Sequence, residues 1–212
     1  MNTMMDAGSG RGGRGDGRHE GRGDSRGRML EASIELMRGS GLSGAGINEI
    51  VRASGAPKGS VYHFFPAGKV QIVGEALTVY SARVQAFIDA ALASKSAPGA
   101  KVRALFAAFA RRVEAGEFRR SCAAGTVCLD LDAELDGLRV VVAQAFADWV
   151  ALIARHFPAL PAARRKSFAS LLLSAIEGAY IRCRAERSSR PFTEAGRWLA
   201  ELVETAGRNA ED

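Results

Sequence analysis

The break Gly55–Gly59, with the sequence GAPKG, constrains the fold of this chain more than any other feature. It follows the stretch INEIVRAS (47–54), in which Ile47, Ile50 and Val51 form an apolar stripe, and it precedes SVYHFF. Pro57 suits the first turn of a new helix, because its missing N–H would have no partner there. Two short helices joined by a turn that contains Gly form a helix-turn-helix. The sequence therefore predicts this motif over residues 47–65.

The second helix of such a motif enters the DNA major groove, where its N-terminal residues reach base edges and phosphates. Val61 and Phe65 are expected to anchor this helix from behind, and Lys69 begins another helix that offers a second phosphate site. Two alternatives stay open: Tyr62 packs inward, and His63 is merely exposed. The predicted DNA contacts are Gly46, Asn48, Lys58, Gly59, Ser60, Tyr62, His63 and Lys69.

Composition favours helices over strands in the remainder of the chain. Ala, Leu, Arg and Glu are abundant, Ile, Thr and Tyr are sparse, and no β-type alternation persists. An all-α fold is therefore predicted. After the helix-turn-helix and a long amphipathic helix, the pattern predicts helices near 100–116, 122–134, 137–156, 161–187 and 192–208.

Residues 1–26 contain Gly, Arg and Asp with almost nothing to bury, so this segment is predicted to be disordered. It is either a solvated tail, an over-extended start before Met29, or an Arg/Gly segment that contacts nucleic acid. The last possibility gives the alternative function, an RNA-associated helical protein that works through this tail.

Charge and cysteine content exclude several classes of protein. The net charge of +6 permits nucleic-acid binding, but residues 29–94 carry five basic and five acidic side chains, so only a few placed cations would contact DNA. Three cysteines and three scattered histidines lack metal-site spacing, and no nucleophile–base set indicates an enzyme, so neither metal nor cofactor is predicted.

No apolar run approaches the roughly 20 residues of a membrane helix. A cytoplasmic protein without membrane contact is expected.

The segment MLEASIELMRGSGLSGAGINEIVRASGAPKGSVYHFFPAGKVQI, residues 29–72, resembles the DNA-binding domain of TetR-family transcriptional repressors. The stretches AGINEI, GAPKGS and FPAGK resemble the subgroup of lincomycin-resistance regulators. SCAAGTVCLDLDAE and LLLSAIEGAYIRCRAERSSRPF resemble the C-terminal half of that subgroup. Ala45, Phe64 and Val70 depart from the usual Thr, His and acid of the family pattern.

The resemblance implies a homodimeric repressor that binds a palindromic operator and is released by a small-molecule inducer. It implies a DNA-binding domain over 27–72 and a helical ligand-binding and dimerisation domain over 73–212. In this family the last two helices usually form the dimer face. Here these helices contain Leu171, Leu172, Ala175, Ala179, Trp198 and Leu202.

A ligand pocket is expected among the helices after residue 80, where the small residues of CAAGTVC leave space between long helices. Glu177 is an acid inside an apolar helix, so it either faces solvent or pairs with a ligand or Arg in the pocket. The aromatic residues in this set could equally be simple core. An uncharged or cationic aromatic inducer is expected, because an anion would face Glu177. The predicted ligand contacts are Phe106, Phe109, Val127, Phe146, Trp149, Glu177 and Tyr180.

Overall fold

The structure is a computed structural model, and it describes residues 17–131 and 135–208. Over these residues it contains helices and turns without a strand, which confirms the all-α prediction. The helices are α1 Gly17–Ser40, α2 Ile47–Ser54, α3 Val61–Phe64, α4 Gly68–Ala93, α5 Pro98–Ala115, α6 Ala123–Leu129, α7 Asp136–Arg155, α8 Ala162–Glu186 and α9 Arg190–Arg208.

The helix-turn-helix consists of α2, a short turn and α3. Gly55 ends α2 in the left-handed conformation, with φ of 63°, which a residue without a Cβ adopts at little cost. Pro57 then precedes a single 3-10 turn, Lys58–Ser60, that leads directly into α3. The arrangement follows the order that the GAPKG break predicts. α1 packs against both α2 and α4 and completes the core of this region.

Helix α1 begins earlier than the sequence indicated. The prediction of disorder through residue 26 is wrong for Gly17–Arg26, which belong to α1, whereas residues 1–16 lie outside the described part. Arg26 explains part of the difference, because its guanidinium lies 5.3 Å from the centre of the Phe65 ring and pairs with Glu75. These contacts connect the N-terminal half of α1 to α3 and α4.

The C-terminal helices lie within about two residues of their predicted bounds, except that α6 ends at Leu129. α5 packs along α9, and α7 packs against α4 and α8. Gly196 allows the close approach of α9 to α5, because a Cβ there would lie 2.6 Å from Cβ of Phe106. α7 is long and apolar enough to cross a membrane, contrary to the sequence expectation. However, its buried side packs inside the protein as a core helix does.

Candidate DNA-binding surface and ligand cavity

The short helix α3 is held from one side and open on the other. Val61 and Phe65 are fully buried, as is Ile50 of α2, and these three side chains fix the position of α3 against the core. Tyr62 lies between the two anchors in sequence and is 60% exposed. The structure therefore favours the outward orientation of Tyr62 over the inward one that the sequence left open.

All eight predicted DNA contacts are at least partly accessible at this end of the molecule. The exposed residues are Asn48, Lys58, Gly59, Tyr62 and His63, and the partly exposed ones are Gly46, Ser60 and Lys69. The ring of Tyr62 also lies beside the start of α4, since a Cβ on Gly68 would be 3.8 Å from it. α3 and the N-terminus of α4 thus present one continuous surface, with Lys69 next to that N-terminus.

The electrostatics of this surface depend on a few cations. Among the described residues, no carboxylate forms an ion pair with Lys58 or Lys69, so both ammonium groups are available to phosphates. Gly46 caps α2 without a side chain, and the Glu49 carboxylate lies so close that a Cβ on Gly46 would be 2.4 Å from it. The region has placed positive charges rather than a broad basic face, as the sequence indicated.

A second candidate site is a cavity of about 670 Å³ that opens to the surface and is bounded by α6, α7, α8 and the residues before α6. This volume suits a drug-sized small molecule. The lining is mainly apolar, with a few hydroxyl and charged groups. The lining residues are Ser121, Cys122, Gly125, Thr126, Cys128, Leu129, Phe146, Ala147, Val150, Lys166, Ser170, Leu173, Ser174, Glu177, Tyr180, Ile181 and Arg184.

The structure brings Phe146, Glu177 and Tyr180 together in this wall. The other four predicted ligand contacts, Phe106, Phe109, Val127 and Trp149, do not line this cavity, and each is buried in the core instead.

Packing explains why those four side chains lie elsewhere. α5 faces α9, so Phe109 stacks on Phe192, with ring centres 5.8 Å apart. The indole of Trp149 points away from the cavity and donates a hydrogen bond to the Ser81 carbonyl, at 3.3 Å. Of the predicted aromatic contacts, Phe146 and Tyr180 line this cavity, whereas Phe106, Phe109 and Trp149 belong to the core.

Most of the lining residues of α8 were missed by the sequence interpretation. Lys166, Ser170, Ser174, Ile181 and Arg184 recur every three or four residues around Glu177, and so they share its face of the helix. Following that face from Glu177 would have identified them. The small residues of α6 only partly indicated the cavity, because Gly125 lines it, whereas Ala123 and Ala124 are buried and do not.

Glu177 is the carboxylate within this wall, and burial raises its pKa from the ordinary value to about 7. A hydrogen bond with the Cys122 thiol acts in the opposite direction. Burial also raises the pKa of Cys122, and the negative charge of Glu177 adds to that shift. Gly125 makes room for the acid, since a Cβ there would lie 2.4 Å from Oε2 of Glu177. The sequence left open whether this acid faces solvent or a pocket, and it faces the pocket.

Cavity-lining residues also contact the C-terminal end of α1. The Thr126 hydroxyl lies 2.8 Å from the Met37 carbonyl, and Arg184 donates to the Gly39 carbonyl at 2.8 Å. Ser121 forms two further hydrogen bonds with Arg38. Its N–H donates to the Arg38 carbonyl at 2.9 Å, and its carbonyl accepts from Nε of Arg38 at 3.3 Å.

Just after α6, the Asp130 carboxylate accepts a hydrogen bond from the backbone N–H of Ser43, at 3.1 Å. Ser43 lies in the turn between α1 and α2. The cavity wall is thus bonded directly to α1, and Asp130, which follows the lining residue Leu129, is bonded to the turn between α1 and α2.

Comparison with protein families gives two matches that together cover both of these regions. Residues 29–76 match the family of bacterial regulatory proteins called tetR, and residues 98–198 match the C-terminal domain of LmrA/YxaF-like transcriptional regulators. The first match contains the helix-turn-helix, and the second contains α6, α7, α8 and the cavity.

Individual proteins agree with these matches. An uncharacterized HTH-type transcriptional regulator of Mycobacterium tuberculosis is 31% identical over 185 residues, which are 84% of this chain and 93% of that protein. The crystal structure of a regulatory protein TetR from Rhodobacter sphaeroides is 25% identical and superposes with a TM-score of 0.75, covering 84% of this chain and 97% of that one. The fold is shared with CifR bound to 26-bp double-strand operator DNA, at 17% identity and a TM-score of 0.68, over 86% and 94% of the chains.

Proposed function

Because the chain belongs to the TetR family of transcriptional regulators, with the C-terminal domain of its LmrA/YxaF-like members, we propose that it is a ligand-responsive repressor. The family and its relatives are regulators and not enzymes, in agreement with the sequence prediction. The observation that carries the proposal is the accessible face of α3, held by two fully buried anchors. In the cytoplasm, the DNA-bound protein would occupy a promoter and thereby repress transcription from it.

The DNA contacts divide into two kinds. Lys58 begins the 3-10 turn that leads into α3, and Lys69 lies in the first turn of α4. At both places a cation and the backbone N–H groups attract a phosphate. Ser60, Tyr62 and His63 lie on or next to α3, where they can reach base edges. The first kind supplies affinity for any DNA, and the second supplies preference for one sequence.

The dimer is proposed to form through α8 and α9. Leu171, Trp198 and Leu202 are large apolar side chains that these two helices leave exposed, and Trp198 is 65% exposed. A second copy that packs its own α8 and α9 on this face would cover them, and a two-fold axis would result. Two helix-turn-helix motifs related by that axis fit a palindromic operator, because the symmetry of the DNA site then matches that of the protein.

The ligand response is proposed to start in the cavity between α6, α7 and α8. A ligand changes DNA affinity only if it prefers one arrangement of the protein over another. Hydrogen bonds from Thr126 and Arg184 connect the cavity wall to α1, so an inducer that displaces α6 or α8 would also displace α1. The lining favours an inducer that is largely apolar or aromatic.

Salt-dependent binding tests the DNA-binding part of the proposal. Lys69→Ala removes one phosphate contact, so the slope of log affinity against log salt concentration should become shallower by about 0.9 for each subunit. The matched control is Lys95→Ala, which removes an exposed cation beyond the far end of α4 and should leave the slope unchanged. Equal slopes for the parent and both variants would remove Lys69 from the interface.

A further inference from the structure

The cavity contains a carboxyl group that the described protein does not neutralise. Glu177 projects from α8 into a lining that is mainly apolar, and its raised pKa has burial as the main cause. No basic side chain of the described residues contributes to that pKa. An ionised carboxylate in such surroundings is costly unless an opposite charge or hydrogen-bond donors accompany it.

The groups that surround Glu177 are themselves weak acids. The Cys122 thiol is hydrogen-bonded to the carboxyl group, and Tyr180 lies one turn further along α8. Tyr80 of α4 belongs to the same electrostatic cluster. Burial raises the pKa of all three, and the charge on Glu177 raises each further. Tyr80, Cys122 and Tyr180 therefore resist ionisation, and Glu177 is the group of this cluster that carries a negative charge.

Basic groups lie near this cluster but do not neutralise the acid. Lys166 and Arg184 are exposed residues at the edges of the cavity, about three and two helical turns from Glu177 along α8. The Arg184 guanidinium also donates to the Gly39 carbonyl. The charge of Arg38 lowers the pKa of both Tyr80 and Tyr180, and that of Arg112 lowers the pKa of Tyr180, but neither charge contributes to the pKa shift of Glu177. Among the described lining residues the acid is Glu177, and the two basic groups, Lys166 and Arg184, lie at the rim of the cavity.

We propose that the cavity binds a hydrophobic organic cation, with the positive centre of the ligand next to Glu177. This inference rests on the proposed ligand response and names the chemical class of the ligand. The apolar wall accepts the organic groups, and the carboxylate offsets the cost of removing the positive charge from water. The rings of Phe146 and Tyr180 in the same wall provide further attraction for a cation. Gly125 leaves the carboxylate the room that it needs beside α6.

Two ions of one shape and opposite charge test this proposal. Tetraphenylphosphonium and tetraphenylborate are titrated into the full-length protein by calorimetry, and the same titrations are repeated for Glu177→Gln. The substitution should weaken phosphonium binding about tenfold and should not weaken borate binding. Glu186→Gln is the control, because it removes a charge from the same helix at an exposed position that is paired with Arg182. This control should leave both affinities unchanged.

The dependence of binding on pH provides a second readout. Because Glu177 titrates near pH 7 in the free protein, phosphonium affinity should rise about tenfold between pH 6 and pH 8. Glu177→Gln should remove this rise, whereas Glu186→Gln should retain it. The proposal is overturned if phosphonium does not bind, if Glu177→Gln changes both ions equally, or if the rise persists without Glu177.

Release of operator DNA is measured separately, so that failures of the two proposals are distinguishable. Phosphonium that binds through Glu177 without releasing DNA would contradict the ligand response and support the cation site. Release by phosphonium and borate at equal concentrations would contradict the cation site and support the ligand response.

Discussion

Thr126→Val removes the hydroxyl that joins the cavity wall to α1 and retains the shape of the side chain. The hydroxyl lies 2.8 Å from the Met37 carbonyl and 3.0 Å from the Ala123 carbonyl, but it has one proton and donates to one of them at a time. Met37 keeps a partner after the substitution, because its carbonyl also accepts from the Gly41 N–H at 3.0 Å. The loss is therefore one hydrogen bond, without an unsatisfied acceptor.

The expected loss of stability is about 1 kcal/mol, the usual net contribution of a hydrogen bond whose acceptor stays satisfied. In a chain of this size that corresponds to a fall in Tm of about 2–4 °C. The effect should concentrate where α6 contacts α1. Amide exchange of residues 41–45 should therefore accelerate about fivefold, because their protection depends on contacts between α6 and this turn.

Hydrogen exchange followed by mass spectrometry measures this directly, with a peptide from the middle of α4 as internal reference. Thr78→Val is the matched control, since the Thr78 hydroxyl donates to Gly74 within α4, at 3.0 Å, and joins no second helix. Identical exchange rates of residues 41–45 in the parent and Thr126→Val proteins would refute the stabilising contact between Thr126 and α1. A change of the same size in Thr78→Val would show that the effect is not specific to the junction of α6 and α1.

Other perturbations follow from burial and charge. Tyr62→Ala should weaken operator binding by about 1–3 kcal/mol without lowering Tm, because the side chain is exposed in the free protein. Trp198→Asp should yield a folded monomer in sedimentation experiments, because it places a charge in the proposed dimer face, whereas Val140→Asp, at an exposed apolar residue of α7, should remain dimeric. Glu177→Gln should raise stability above pH 7 by on the order of 3 kcal/mol and have no effect near pH 4.

Burial of Glu177 makes the stability of the parent protein fall as the pH rises. The folded protein holds the Glu177 proton up to about pH 7, whereas the unfolded chain loses it near pH 4.5. Stability of the parent therefore falls as pH rises through this window, and the glutamine variant avoids that fall. Denaturant midpoints that differ equally at pH 4 and pH 8 would contradict the burial of this acid. A lowered Tm of Tyr62→Ala would contradict the exposed position of Tyr62. A dimeric Trp198→Asp protein would contradict the proposed dimer face.

Local chemistry explains why the DNA-binding region could be predicted from the sequence. Its features are short-range: the left-handed Gly55 ends α2, Pro57 fits the turn, and the spacing of Val61 and Phe65 places both on one side of α3. Neighbouring residues determine each of these features. The extension of α1 was missed in part because the tertiary contacts of Arg26 with Phe65 and Glu75 are not visible in the local sequence.

The cavity was only partly predictable, because its lining depends on how long helices face one another. Phe106 and Phe109 were predicted to line it, yet both pack against Phe192 of α9 in the core. The sequence identifies the apolar face of a helix but not which neighbour that face meets. Glu177 was identifiable because an acid among apolar residues needs an explanation whichever helix packs against it.

Selection of binding sites from random duplex DNA tests the central claim most directly. The purified protein is used to enrich sequences, and the mass of the complex with an enriched duplex gives the number of bound chains. A dimeric repressor should enrich a sequence with two-fold symmetry that is occupied by an even number of chains, and Tyr62→Ala should lose this enrichment. An asymmetric site bound by a single chain, or no enriched sequence at all, would contradict the proposal of a dimeric repressor at a palindromic operator.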